Sequence, residues 1–310
     1  MCYHIPKTQH DFPITQPSEL KPGQCLVKMI GTGVCHSVLH ISRWDWPIEP
    51  VTPLVGGHEG VSEVVAIAAH TEASPVKLGQ QRWDQVDRIP LWRLRAVPSG
   101  LRADAKMSGC TVDVAAMPIR AFQVSWVHIV TPVPFDSFAA ASVLCAGVTV
   151  YRALKYSDAR IGHWVVIPGA GGGLGHLAVQ YAVAMGMRVV AIGKSTLFKL
   201  GAEKWVDFKQ TPNLVSAIKE ACDGLGPHAA VVMPRDAKFE TSIFWTVVKN
   251  ISIKGSYVGN RQDSIEAIEN AASGKVKVIY ALKGLSDLGQ VYNDLQKGSV
   301  AGRIVLDSSK

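Results

Sequence analysis

The stretch HWVVIPGAGGGLGHLAVQYAVAMGMRVVAIG, residues 163–193, constrains the fold more than any other. An apolar run runs into a glycine turn, an amphipathic segment follows, and a second apolar run closes it. Strand, turn, helix and strand within about thirty residues make a βαβ unit. Its parallel strands must be covered by helices on both faces. The turn, GAGGGLG, opens the helix. Glycine lets backbone approach a pyrophosphate, and the helix N-terminus offers unpaired N–H groups and a positive dipole end. Gly169, Gly172 and Gly175 have the spacing G-x-x-G-x-x-G, and with Gly173 and Leu174 they form a candidate dinucleotide loop. Such sites usually close the second strand with Asp or Glu for the ribose hydroxyls. Here that strand runs into Gly193 and Lys194. Lys194 suits a 2′-phosphate, so NAD is expected and NADP stays open.

The first third of the chain has another character. PGQCLVKMI (22–30) alternates like a strand after a turn, and VTPLVGGHEGVSEVVAIA (51–68) reads as a turn followed by a long strand. This part is β-rich and barrel-like. Residues 80–128 keep neither period for long. FAAASVLCAGVTVYRALKY, from residue 138, predicts a helix broken near Ala146-Gly147. HAAVVM (228–233) and ISIKGSYVG (251–259) read as later strands. The fold class is α/β.

Composition narrows the partners. The chain has 310 residues, of which 47% are hydrophobic and 18% charged, as in a globular protein. No apolar run is read as reaching the ~18 residues of a membrane span, and no secretory leader is visible. A cytoplasmic protein is expected. The net charge of +7 is scattered. Its densest cluster, Arg88 to Lys106, has no nucleic-acid motif beside it, so neither nucleic acid nor membrane is expected as partner. Six cysteines without paired spacing argue against disulfides.

Cys35 lies in GTGVCHSVLH, His58 in GGHEG and Cys145 in VLCAGVTVY. Two thiolates and an imidazole suit zinc, and three protein ligands with an open position are the catalytic pattern. Taken singly, each residue is more often a core thiol or a satisfied histidine than a metal ligand.

With these motifs in order, the chain resembles the zinc-dependent medium-chain alcohol dehydrogenases, the fungal and yeast NAD enzymes above all. The matching pieces include GVCHSVLH, PLVGGHEG, VLCAGVTVYRALK, GHWVVIPGAGGGLGHLAVQYA, IKGSYVGNRQD and AGRIVLDSSK. The resemblance implies a GroES-like catalytic domain at 1–147, completed by 263–310. It implies a truncated Rossmann domain, a doubly wound parallel sheet, at 148–262. It makes Cys35, His58 and Cys145 the catalytic zinc ligands, with Glu59 behind them or as an alternative ligand. Ser37 would bind the substrate hydroxyl and start a proton relay that His40 completes. Trp46 would line a small alcohol pocket, and His36, Val258 and Arg303 would meet the cofactor. The implied substrate is a small alcohol or aldehyde, and the implied assembly is a homotetramer.

Several family features are missing. Residues 80–106 carry no cysteine where the family has its structural zinc lobe, so one zinc is expected rather than two. Val38 replaces an Asp of the family's zinc surround, and the ribose-binding acid is absent. HAAVVMPRDAKFETSIFW passes from one strand almost directly to a late loop, without the family's intervening helix and strand. The competing reading is a catalytically impaired paralogue, or a misassembled gene product, that binds nucleotide or a partner subunit without turnover. A zinc-free quinone reductase is a third reading, and it predicts the loss of ligands that this chain keeps.

Overall fold

The computed structural model describes residues 16–22, 24–43, 57–71, 77–79, 81–85, 122–125, 135–193, 200–232 and 241–310. Most of 80–128, together with Trp46 and Lys194, lies outside them. The chain divides into two compact units. One holds Met1–Cys145, Asn260–Ala272 and Val278–Lys310; the other holds Ala146–Gly259 and Ser273–Lys277.

The first unit begins with strand β1 (Cys25–Gly33) and helix α1 (His36–Ser42), then strands β2 (Glu59–Ile67), β3 (Gln81–Gln85) and β4 (Phe122–Ser125), and helix α2 (Ser137–Ser142). β1 is buried on both faces, which is why its sequence is nearly continuous in apolar residues. Cys25, Val27 and Met29 pack with Val64 on one side, and Leu26 packs with Leu20 and Ala68 on the other. β2 pairs antiparallel along β1, from Cys25↔Ile67 to Thr32↔Gly60, with two register shifts. β4 takes the first half of β1's other edge.

A wide π-helical turn, Val143–Gly147, follows α2 and leads into α3 (Val148–Lys155), which opens the second unit. Ser137–Lys155 is thus one helical stretch of 19 residues with mean hydropathy 1.4, long and apolar enough by composition to cross a bilayer. It carries Ser142, Thr149, Arg152 and Lys155, so it is not an unbroken apolar run. Its most apolar window is 72% buried, as befits a core helix.

The glycine-loop segment folds as its pattern predicts: β5 (Trp164–Pro168), α4 (Gly175–Ala184) and β6 (Arg188–Ile192). Then come β7 (Lys204–Val206), α5 (Leu214–Ala221), the two-residue β8 (Ala229–Ala230) and α6 (Ile243–Val248). The four strands form a parallel sheet in the order β7-β6-β5-β8. Trp164, Val166, Val190, Ile192 and Val206 make a core with α5. Tyr151 of α3 meets Tyr181 of α4 edge-on, ring centroids 5.5 Å apart.

The strand expected at 251–259 does not form. Residues 251–257 are irregular, and Ile251, Ile253 and Tyr257 are exposed. A strand needs a neighbour's amides and carbonyls, and β8 offers only two residues. In α6, Ile243, Phe244, Trp245, Val247 and Val248 are exposed as well.

The chain returns to the first unit with α7 (Arg261–Ala272), β9 (Tyr280–Gly284), α8 (Leu288–Lys297) and β10 (Arg303–Asp307). β10 pairs antiparallel with Gly31–Gly33 of β1 and parallel with β9. The sheet order is β3-β2-β1-β10-β9, with β4 also on β1. α8 packs Val291 and Leu295 against Val34, Leu39, Ile304 and Leu306.

Two predictions follow from the second unit. A Cβ on Gly175 would lie 2.2 Å from the Gly169 carbonyl oxygen, so Gly175→Ala forces backbone apart. It is expected to cost about 1–3 kcal/mol, read as a lower urea midpoint. The second concerns His163 and His228, which stack at 4.0 Å between centroids. Each Nδ1 accepts a backbone N–H, from Arg160 and from Trp164. Desolvation, the facing His228 and Arg160 hold the His163 imidazole below its ordinary range. A depressed histidine supports stability that is complete above its unfolded value of about 6.5 and is lost as pH falls through its lower folded value. The urea midpoint is expected to fall from pH 7 to pH 5, less steeply in His163→Gln.

Candidate metal centre and glycine loop

Cys35 ends the turn between β1 and α1, and the Val34 N–H donates to the Ile304 carbonyl of β10 at 3.0 Å. Its Sγ caps α1 by accepting the Ser37 N–H at 3.5 Å. His58 immediately precedes β2, and Glu59 is that strand's first residue. The Thr32 hydroxyl donates to the Glu59 carbonyl at 2.8 Å, fixing the start of the strand beside β1. Cys145 sits in the π-helical turn, a distortion that often marks functional positions. Glycine at 33 is required here, because a Cβ there would lie 2.5 Å from the Glu59 carboxyl carbon.

These three segments bring one donor atom each from Cys35, His58, Glu59 and Cys145 to within 4.8 Å of one another. The two sulfurs are 3.8 Å apart, and His58 Nε2 lies 3.1 Å from Cys145 Sγ. Two sulfurs on one tetrahedral zinc at about 2.3 Å stand about 3.8 Å apart. Cys35, Glu59 and Cys145 are buried and His58 is half-buried. Cys25, Cys35, Cys145 and Cys222 are all free thiols.

The centre behaves as a charged cluster. The Cys145 thiol hydrogen-bonds Cys35 and, against the cost of burial, holds the Cys35 thiol well below its ordinary range, aided by the charge of His58. The same hydrogen bond and burial push Cys145 up. Burial pulls His58 down, but the Cys35 charge and hydrogen bond outweigh it and the net shift is upward. Burial pushes Glu59 up to about 7, although Arg303 opposes it.

Arg303 of β10 forms an ion pair with Glu59 Oε1, and the two side chains are only 5% and 0% exposed. Glu59 Oε2 has no hydrogen-bond partner among the described residues. A buried carboxylate oxygen left unpaired beside two thiols and an imidazole fits a cation. The donor set therefore fits zinc.

The other expected site residues fall as follows. Ser37 Oγ accepts from Cys35 Sγ at 3.4 Å. His40 lies one turn along α1 from His36, ring centroids 6.1 Å apart. His36 Nε2 donates to the Leu295 carbonyl of α8 at 3.1 Å, so the ring is held by α8. Val258 stands in the irregular segment with a left-handed φ of 45°. Val38 is buried and lines a small apolar void with Thr32, Leu288 and Tyr292.

In the second unit, the first i→i−4 hydrogen bond after the turn runs from His176 N to Gly172 O. The amides of Gly173, Leu174 and Gly175 precede it, as an anion cradle requires. Gly169 turns with φ 63° and its carbonyl packs against Gly175. The loop thus fits a pyrophosphate. Two supporting residues escaped the sequence reading. Buried His176 donates Nδ1–H to the Gly172 carbonyl at 2.9 Å. Gln180 donates to His176 O and Lys277 O and accepts from Lys277 N, at 2.7–2.9 Å. Their partners are backbone groups, which leave no side-chain pattern to read.

A β-rich unit with a Cys–His–Cys cluster, joined in one chain to a parallel sheet with a glycine turn at a helix N-terminus, is the arrangement of a zinc-binding dehydrogenase. Residues 21–85 match the alcohol dehydrogenase GroES-like domain and residues 173–246 the zinc-binding dehydrogenase domain. The alcohol dehydrogenase of Schizosaccharomyces pombe is 38% identical over 334 residues, spanning 97% of this chain and 93% of that protein. Alcohol dehydrogenase 1 of Emericella nidulans is 39% identical, spanning 97% and 94%. Among solved structures, the alcohol dehydrogenase of Aeropyrum pernix superposes with a TM-score of 0.76 at 24% identity, covering 97% of this chain and 96% of that one. The chain belongs to the alcohol dehydrogenase family, in its zinc-binding medium-chain branch.

Arg303→Met would strand the Glu59 carboxylate without its cation. The expected cost is about 3–5 kcal/mol in urea unfolding. The double variant Glu59→Gln/Arg303→Met should recover much of that loss, since neither residue then buries a charge.

Proposed function

We propose that the chain oxidises a small primary or secondary alcohol, with Cys35, His58 and Cys145 as zinc ligands and the glycine loop as cofactor site. The observation that carries the reading is the convergence of one imidazole and two thiols, from positions 35, 58 and 145, onto donor atoms within 4.8 Å. Zinc held there supplies Lewis acidity, which lowers the proton affinity of an alcohol oxygen. NAD, held through its pyrophosphate by Gly173, Leu174 and Gly175, supplies the hydride acceptor.

The remaining work falls to the chain. Ser37 Oγ, at the start of α1, accepts the alcohol proton. His40, one turn along the same helix, passes it to solvent. Glu59, paired with Arg303, places negative charge behind the ligands and steadies a divalent cation. Retention of all three ligands supports turnover over the impaired-paralogue reading. The lack of cysteine in residues 80–106 supports one zinc per chain rather than two. A homo-oligomer agrees with the family likeness and with the exposed apolar side chains of α6.

The test is alcohol-dependent NAD reduction, followed at the nicotinamide absorbance, with zinc counted by elemental analysis. About one zinc per chain is expected, lost together with activity in Cys145→Ser. Ser37→Ala should keep its zinc and lose about a hundredfold or more in kcat. A folded, zinc-loaded protein that reduces no NAD with any short alcohol would sink the proposal.

A further inference from the structure

The position that usually selects the dinucleotide carries no side chain here. β6 ends at Ile192, and Gly193 stands where an acid would hold the ribose hydroxyls. The neighbouring strand supplies what Gly193 lacks. β7 runs parallel to β6 in the register Val190↔Lys204, Ala191↔Trp205 and Ile192↔Val206. The Gly193 N–H continues that ladder by donating to the Val206 carbonyl at 3.1 Å. The next residue across from Gly193 is Asp207, one strand spacing away, or about 4.8 Å.

The face is also right. Ile192 and Val206 both pack into the core under α5. Side chains alternate along a strand, so the following positions, 193 and 207, fall on the opposite face. α4 connects β5 to β6, whereas α5 connects β7 back across the sheet to β8. Right-handed crossovers in opposite directions put the two helices on opposite faces. Gly193 and Asp207 therefore share the face of α4, whose N-terminus carries the glycine loop. Two contacts hold the place. The Trp205 indole N–H donates to the Gly193 carbonyl, and Asp207 Oδ1 accepts the Lys209 N–H at 2.9 Å.

We propose that Asp207, acting from β7 in place of an acid on β6, sets the choice of NAD over NADP. The inference rests on the dinucleotide reading of the glycine loop. A carboxylate beside the ribose accepts from a 2′-hydroxyl and repels a 2′-phosphate.

The test is the dissociation constant of NADH and of NADPH, read by nicotinamide fluorescence on the whole protein. The wild type is expected to bind NADH at least tenfold more tightly than NADPH. Asp207→Asn keeps the Oδ1 acceptor for Lys209 and removes only the charge, and should cut the ratio at least fivefold, chiefly by tightening NADPH. Glu203→Gln removes the same charge at the other end of β7, where Glu203 pairs with Arg188, and should leave the ratio unchanged. A wild-type preference for NADPH, a ratio unmoved in Asp207→Asn, or an equal shift in Glu203→Gln overturns this proposal alone. A folded protein that binds neither dinucleotide overturns the cofactor reading with it.

Discussion

The ion pair between Glu59 and Arg303 is the contact on which the candidate metal centre depends. Each charge is buried, and each would be costly without the other. Glu59 stands at the head of β2 and Arg303 at the head of β10, with β1 paired to both strands. The C-terminal strand is thus part of the site. It closes the sheet beside the Cys35 turn and delivers the cation that lets Glu59 stay buried. Gly33 supplies the space, since any side chain there would meet the carboxyl. A carboxylate and an arginine 244 residues apart in sequence act with a glycine as one unit.

The same pair sets the electrostatics of the ligands. Two thiols and a carboxylate face one imidazole and one guanidinium. The protein by itself compromises: Cys35 gives up its proton readily, Cys145 keeps its own, and Glu59 rises to about 7. Those opposed tendencies are those of a donor set short of positive charge. A divalent cation relieves them together, because it favours the deprotonated form of every ligand at once.

How much of this was legible depended on what kind of partner each residue has. The glycine loop was readable because its constraint is local: strand, turn and helix follow one another in sequence, and backbone geometry demands glycine. Cys35, His58 and Cys145 were legible only as a set and through family likeness, since their proximity is created by pairings that join distant segments. His176 and Gln180 were invisible because they bond backbone carbonyls and amides. Residues 251–259 misled in the opposite sense. Their alternation is genuine strand pattern, but a strand is a relation between two segments, and β8 is too short to be the other one. Ser137–Lys155 read as a helix broken near Ala146-Gly147, and the π-helical turn there is what joins the two halves into one stretch.

The exposed apolar surface of the second unit is carried by α6 and not by the glycine turn. β5 and β6 stay fully ladder-paired, and the loop between them keeps its close packing at Gly175. Past β8, α6 leaves Ile243, Phe244, Trp245, Val247 and Val248 in solvent. Burying a large apolar side chain contributes about 1.5–3 kcal/mol, so several left exposed forgo a large part of a domain's net stability. The deficit falls on folding and solubility, while the groups that would bind pyrophosphate and metal keep their geometry. A chain of this kind therefore separates two properties that usually fail together: its chemistry rests on β1, β2, β10 and the glycine turn, and its stability on how the surface around α6 is covered.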